Sequence, residues 1–142
     1  RYVELQPGEV ANVDGYQVTP VLVNHTVDTS AFIIGHDGAS IVYGADTGPT
    51  DELWKRVNEL DDLQAMLVEV SFPNDEADLA HASLHLTPET LASELDKLAH
   101  SDELPIMLFH IKPTFERRVL KELATIRGRN LQILQLQDEF IL

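Results

Sequence analysis

Two Asp-Gly pairs constrain the fold of this chain more than any other local feature. Asp14-Gly15 separates residues 9–13 from residues 16–25, and Asp37-Gly38 separates residues 30–36 from residues 39–44. A tight two-residue hairpin turn needs positive φ at both central positions, which Asp and Gly tolerate. Tyr16, Val18, Val21 and Val23 give the run before His25 its β character. Ala31-Phe32-Ile33-Ile34 and Ile41-Val42-Tyr43 are apolar on both faces, as expected of a central strand in a two-sided sheet. Residues 2–6 read as a further short strand, ended by Pro7-Gly8.

After Asp46 the pattern changes to alternating helix and strand. Gly48-Pro49-Thr50 breaks the chain. Thr50 is placed to N-cap a helix running to about Leu60, with Asp51 and Glu52 in its first turn and Leu53, Val57 and Leu60 on its buried side. Residues 64–70 form the next strand and residues 76–82 a short helix. Thr87-Pro88 opens another helix, proline being favourable at the first helical position; Leu91, Leu95 and Leu98 give its core stripe. A strand ends at His110. Pro113-Thr114 starts a helix with Phe115, Val119, Leu123 and Ile126 inward, stopped near Gly128, and residues 131–136 form a last strand. No internal repeat or linker interrupts residues 1–142, so the chain reads as a single domain.

Three chemistry-bearing side chains stand where apolar strands run out. His25 follows Val21-Leu22-Val23-Asn24, Asp46 follows Ile41-Val42-Tyr43-Gly44-Ala45, and His110 follows Pro105-Ile106-Met107-Leu108-Phe109. Catalytic and ligating groups gather at such positions, where a rigid sheet meets a loop. Two imidazoles and a carboxylate suit zinc or a similar divalent ion, and with no cysteine in the chain any metal is held by His and carboxylate. The 24 acidic against 10 basic side chains, a net charge of −14, disfavour a nucleic-acid groove and an anionic membrane surface. The same acidity is compatible with plain solubility or with a site neutralised by cations. No stretch approaches the length of a membrane span, and no export signal is visible, which leans toward the cytoplasm. The chain opens on Arg1-Tyr2-Val3, not Met, almost inside a strand, and is expected to be a segment of a longer protein.

Four segments together carry a resemblance. They are Val23-Asn24-His25-Thr26 with Ser30-Ala31-Phe32-Ile33-Ile34; Tyr43-Gly44-Ala45-Asp46-Thr47-Gly48-Pro49; Glu69-Val70-Ser71-Phe72-Pro73-Asn74 running on to Leu84-His85-Leu86-Thr87-Pro88; and Phe109-His110-Ile111-Lys112-Pro113. In this order, from Val18 to Pro113, they resemble the C-terminal half of a metallo-β-lactamase-fold hydrolase. Within that superfamily they are most similar to class II 3′,5′-cyclic-nucleotide phosphodiesterases.

The resemblance implies an α+β fold: the C-terminal half of an αββα sandwich, a mixed β-sheet with helices packed on one face. It implies two divalent metal ions, zinc with manganese or magnesium as alternatives. His25, Asp46 and His110 match metal ligands, Asp46 as the bridge, and His85 matches a histidine that protonates the leaving oxygen. Ser71 and Asn74 are expected to line the substrate pocket. The implied reaction is attack on phosphorus by hydroxide generated between the metals, with a cyclic nucleotide such as cyclic AMP as substrate. The free N–H groups of the Thr87-Pro88 helix are expected to favour a phosphate nearby. Glu69 is placed either to orient a metal-bound histidine or as a plain strand-end carboxylate, and Lys112 either on a phosphate or on the surface.

The chain departs from the superfamily in one respect. The His-x-His-x-Asp-His signature, which supplies further ligands from the N-terminal half, is absent. The partner is therefore expected to be that N-terminal half of the same fold, with the 142-residue chain alone inactive. Self-association would be a natural outcome for a half-fold with an open apolar face. A tRNA 3′-processing endonuclease is the alternative enzyme. Against it stand the short interval from His25 to Asp46, Val68 where those nucleases commonly carry His, and the acidity. A non-catalytic superfamily domain serving in assembly is the third reading.

Overall fold

The computed structural model describes residues 4–140. A single seven-stranded sheet runs in chain order, β1 (Ala11–Val13), β2 (Tyr16–Val23), β3 (Thr29–His36), β4 (Ala39–Tyr43), β5 (Leu63–Glu69), β6 (Pro105–Phe109) and β7 (Asn130–Ile133). β1 to β4 pair antiparallel, and β4 to β7 pair parallel. The change falls where the sequence pattern changes, because antiparallel neighbours need only a turn and parallel ones need a crossover. The crossovers carry α1 (Glu52–Val57), α2 (Ala77–Ser83) with α3 (Pro88–Leu95), and α4 (Glu116–Leu123). Asp14 and Asp37 take φ of 50° and 49°, each followed by a positive-φ glycine, as the Asp-Gly turns require.

Register sorts the sheet into two faces. Val21 pairs with Ala31, Ile33 with Val42, Val42 with Met66, Met66 with Ile106 and Ile106 with Leu131. These side chains join Leu53, Trp54, Val57, Leu91, Leu95, Val119 and Leu123 of the helices in one core cluster. The other face carries Pro20, Phe32, Tyr43, Leu67 and Met107 in register, with Tyr43 stacked on Phe109 at 5.4 Å. It is partly open: Tyr43 is 37% exposed and Leu22 53%. Pro20 is tolerated inside β2 because β1 ends opposite Val18, leaving that side of β2 unpaired by a strand there.

Several expectations are corrected. Tyr2 and Val3 lie outside the described residues, and Glu4 to Gln6 form no strand. Thr50 does not cap α1: its backbone N–H is bonded instead to the buried Glu94 carboxylate at 3.0 Å, and the helix starts at Glu52 and ends at Val57. The Glu94 carboxylate also accepts from the Trp54 indole at 2.7 Å and from Lys97 at 2.8 Å, fastening α1 to α3. The last strand is Asn130–Ile133; beyond it Leu136 is 98% exposed, with nothing to hold it against the sheet. At α3 the expectation holds, with Pro88 in the first turn and a reciprocal capping box between Thr87 and Thr90.

Candidate active site

β2 runs parallel to β4, β5 and β6, since two antiparallel steps separate it from β4. The C-terminal ends of these four strands therefore share one rim. His25 lies two residues past β2, Asp46 three past β4, Glu69 is the last residue of β5, and His110 directly follows β6. His85 reaches the same rim from the α2–α3 connection, held there by Ser71 N–H on the Leu86 carbonyl at 2.9 Å.

The three imidazoles form a row. The ring centres of His25 and His85 are 5.0 Å apart, and those of His85 and His110 5.1 Å. Asp46 Oδ1 is 3.3 Å from His110 Nδ1. His25, Asp46 and His85 present ligand atoms all within 4.8 Å of one another, as do Glu69, His85 and His110. His85 thus sits in both groups, and His25 and His110 stand in separate ones. The donor set fits a divalent cation, each group pairing two imidazoles with a carboxylate, half-exposed Asp46 in one and buried Glu69 in the other.

The backs of two rings are tied to the protein in a way that fixes their protons. His25 Nδ1 is 3.1 Å from the Leu84 carbonyl oxygen, which only accepts, so Nδ1 carries the proton and Nε2 is left free. His85 Nδ1 donates to Glu69 Oε1 at 2.8 Å, leaving its Nε2 free as well. Glu69 is fully buried, and its carboxylate gathers four donors. Oε1 accepts from the backbone N–H of Leu86 at 3.1 Å and of Thr47 at 3.4 Å in addition to His85, and Oε2 accepts from the Ser71 hydroxyl at 2.9 Å. Glu69 is thus more than a plain strand-end carboxylate, and the histidine it holds is His85, not one of the expected ligands His25 and His110. Period-two spacing from Glu69 to Ser71 at a strand end was the available signal, though it says nothing of burial.

Burial holds the His110 imidazole below its usual pKa, Lys112 and His85 adding to that, while Asp46 and Glu69 pull the other way. Tyr43 is pushed up by burial and by the Asp46 charge. Lys112 Nζ lies 3.1 Å from His110 Nε2, and so belongs to the site and not to the open surface.

Three expectations change here. Ser71 is fully buried, its hydroxyl taken up by Glu69 and placed 3.0 Å from His110 Nδ1, so it lines no substrate pocket. Asn74 spends its side-chain oxygen on the Glu89 N–H at 2.9 Å and borders a separate cleft of about 570 Å³ between α3 and α4. The start of α3 has no donor left for a phosphate: Pro88 has none, Asn74 takes Glu89 N–H and Thr87 takes Thr90 N–H.

Residues 1–111 match a family model described as beta-lactamase superfamily domain. Over 107 residues the chain is 35% identical to a probable 3′,5′-cyclic-nucleotide phosphodiesterase of Yersinia pestis, covering 63% of this chain and 31% of that protein. The metallo-beta-lactamase fold protein YhfI of Bacillus subtilis superposes with a TM-score of 0.75 at 16% identity, over 94% of this chain and 52% of that one. Human tRNase Z, short form, gives 0.60 at 17% identity, over 73% and 39%. The chain spans about a third of the curated relative, about half of YhfI and 39% of tRNase Z.

Proposed function

This chain belongs to the beta-lactamase superfamily, and from that premise we propose that it forms the C-terminal part of a metal-dependent phosphodiesterase acting on 3′,5′-cyclic nucleotides, cyclic AMP foremost. The observation that carries the reading is the His85 imidazole, backed by the buried Glu69 carboxylate at 2.8 Å and flanked by His25 and His110. An imidazole held in this orientation is suited to pass a proton to a leaving 3′-oxygen. The curated relative's description supports the substrate class.

In this reading His25, Asp46 and His110 hold divalent cations, zinc by the chemistry of the donors. Bound there, the cations would polarise the phosphoryl oxygens and activate water at neutral pH. Asp46 is the group suited to serve two ions at once, because a carboxylate has two oxygens to offer while one imidazole nitrogen holds only one ion. Lys112 adds a positive charge on the phosphate side. The N-terminal half of the same fold covers the open face around Tyr43 and Phe32 and brings the remaining ligands.

The test uses the complete protein that carries this segment. Asp46→Ala and His25→Ala should lose both bound metal and cyclic AMP turnover, while His85→Ala should lose turnover and keep the metal. Retained turnover in Asp46→Ala would refute the site. Loss of metal in His85→Ala would instead make His85 a ligand, a role its place in both donor groups also suits. The 142-residue chain alone should hydrolyse little cyclic AMP. The likeness to tRNase Z is one of fold, and the net charge of −14 opposes a tRNA substrate.

A further inference from the structure

We propose that the buried Ser71 hydroxyl is a positioning group that holds the His110 imidazole as its Nδ1–H tautomer and so turns an unprotonated Nε2 toward the site. Ser71 Oγ has one proton and four polar neighbours: Glu69 Oε2 at 2.9 Å, His110 Nδ1 at 3.0 Å, and His85 Nδ1 and the His110 carbonyl oxygen both at 3.4 Å. The shortest contact is also the one to a carboxylate, which accepts hydrogen bonds roughly twice as strongly as a neutral group. The hydroxyl proton therefore goes to Glu69. His85 Nδ1–H is already spent on Glu69 Oε1 at 2.8 Å. What remains for Ser71 is to accept, and the donor in reach is His110 Nδ1–H.

An independent contact agrees. Lys112 Nζ approaches His110 Nε2 at 3.1 Å, and an ammonium group only donates, so Nε2 must be bare. A chain of single-direction hydrogen bonds thus runs from His110 Nδ1 through Ser71 to Glu69, with Asp46 Oδ1 3.3 Å from the same nitrogen. His110 itself sits at φ 67°, a conformation an L-residue holds only when its surroundings determine it. The proposal rests on the reading of His110 as a cation ligand only for its consequence; the tautomer can be measured without any metal.

The experiment is 15N NMR of the histidine side chains in the metal-free complete protein that carries this segment, at a pH where the rings are neutral, followed by titration with Zn²⁺ alone. Wild type should show His110 as a single Nδ1–H tautomer. Ser71→Ala should populate the Nε2–H form and weaken Zn²⁺ binding about 10- to 100-fold, and Ser71→Thr should restore both. Glu69→Gln keeps Ser71 but turns the chain round: its amide would donate to Ser71 Oγ, send the hydroxyl proton to His110 Nδ1, and move the ring proton to Nε2. That variant serves if Ser71→Ala does not fold. An unchanged His110 in both variants would hand the role to Asp46 Oδ1, 3.3 Å from Nδ1, and Lys112 Nζ, 3.1 Å from Nε2, and overturn the proposal. A tautomer that shifts while Zn²⁺ binding does not would uphold Ser71 and remove His110 from the ligands.

Discussion

Replacing Glu69 by Ala and by Gln separates the two things its carboxylate does. In Glu69→Ala the backbone N–H groups of Leu86 and Thr47 lose their acceptor in a buried site, at about 1–3 kcal/mol each. His85, whose side chain is only 10% exposed, and Ser71 lose theirs too, but Ser71 can turn to the His110 carbonyl oxygen at 3.4 Å. The residual cavity adds roughly 1 kcal/mol, and recovery of the carboxylate's own desolvation cost offsets part of the sum. The expected loss is about 3–5 kcal/mol, the range for breaking a buried charged network by removing one member. Glu69→Gln keeps an oxygen for three of the four donors and loses the charge, so it should cost less than half as much, about 1–2 kcal/mol. Urea unfolding followed by Trp54 fluorescence reads both, since Trp54 is the chain's one tryptophan and is buried in the core. Against a typical total of 5–15 kcal/mol, Glu69→Ala approaches the folding limit. A loss under about 1 kcal/mol for Ala would mean that water replaces the carboxylate, contrary to the burial. Equal losses for Gln and Ala would mean that charge, not acceptor count, is what the site needs.

Glu94→Ala strands the Trp54 indole N–H and the Thr50 amide, while Lys97 keeps Asp51 at 2.7 Å, so the loss should be about 2–4 kcal/mol with a change in Trp54 emission. A neutral result in urea unfolding would show that α1 and α3 are held by apolar packing alone. Gly44→Ala puts a Cβ 2.9 Å from the Leu67 carbonyl oxygen, a backbone atom that cannot swing away. It should cost about 1–3 kcal/mol as overpacking and disturb the Asp46 loop, read as weaker Zn²⁺ binding; a fully stable variant would place the β4–β5 contact elsewhere. Lys112→Met removes the ammonium that lies on His110 Nε2 and should tighten Zn²⁺ binding severalfold by calorimetry. Weaker binding would mean that Lys112 supports the cation site.

What could be read from the sequence is what neighbouring residues decide. The Asp-Gly turns, the Thr87-Pro88 helix start and the switch from hairpins to crossovers each follow from a few adjacent side chains. What could not be read is decided by partners far along the chain. Thr50 has good capping chemistry, yet its amide belongs to Glu94, 44 residues on, and α1 begins at Glu52. Ser71 has the composition of a pocket residue, and only the third dimension shows its hydroxyl enclosed between Glu69 and His110. Lys112 stands two residues past His110 in a loop, where nothing local distinguishes a surface lysine from one turned back onto the ring.

Backbone strain is the deepest case of the same division. Ala45, Leu84 and His110 take φ of 56°, 52° and 67°, and none is a glycine or asparagine that would announce it. Each stands immediately before a candidate site residue or is one: Ala45 before Asp46, Leu84 before His85, and His110 itself. A left-handed residue reverses the local direction of the chain, so the side chain at that point leaves the alternation of its strand or helix and is aimed over the rim. Such a conformation costs on the order of 1–3 kcal/mol unless the surroundings impose it, and here they do. Gly44 N–H is bonded to Leu67 and Gly48 N–H to Asn24, both at 2.8 Å, on either side of Ala45. Leu84 offers its carbonyl to His25 at 3.1 Å, and the backbone on either side of His110 is bonded, Phe109 accepting from Val70 at 3.0 Å and Lys112 N–H donating to Ser71 at 3.3 Å. Each strained residue is therefore held by bonds to a neighbouring segment, and the Ala45 and Leu84 turns are both tied to the Asn24-His25 segment. A substitution that loosens any one of the three turns should therefore move more than its own side chain, whereas four polar residues that merely end strands would respond one at a time.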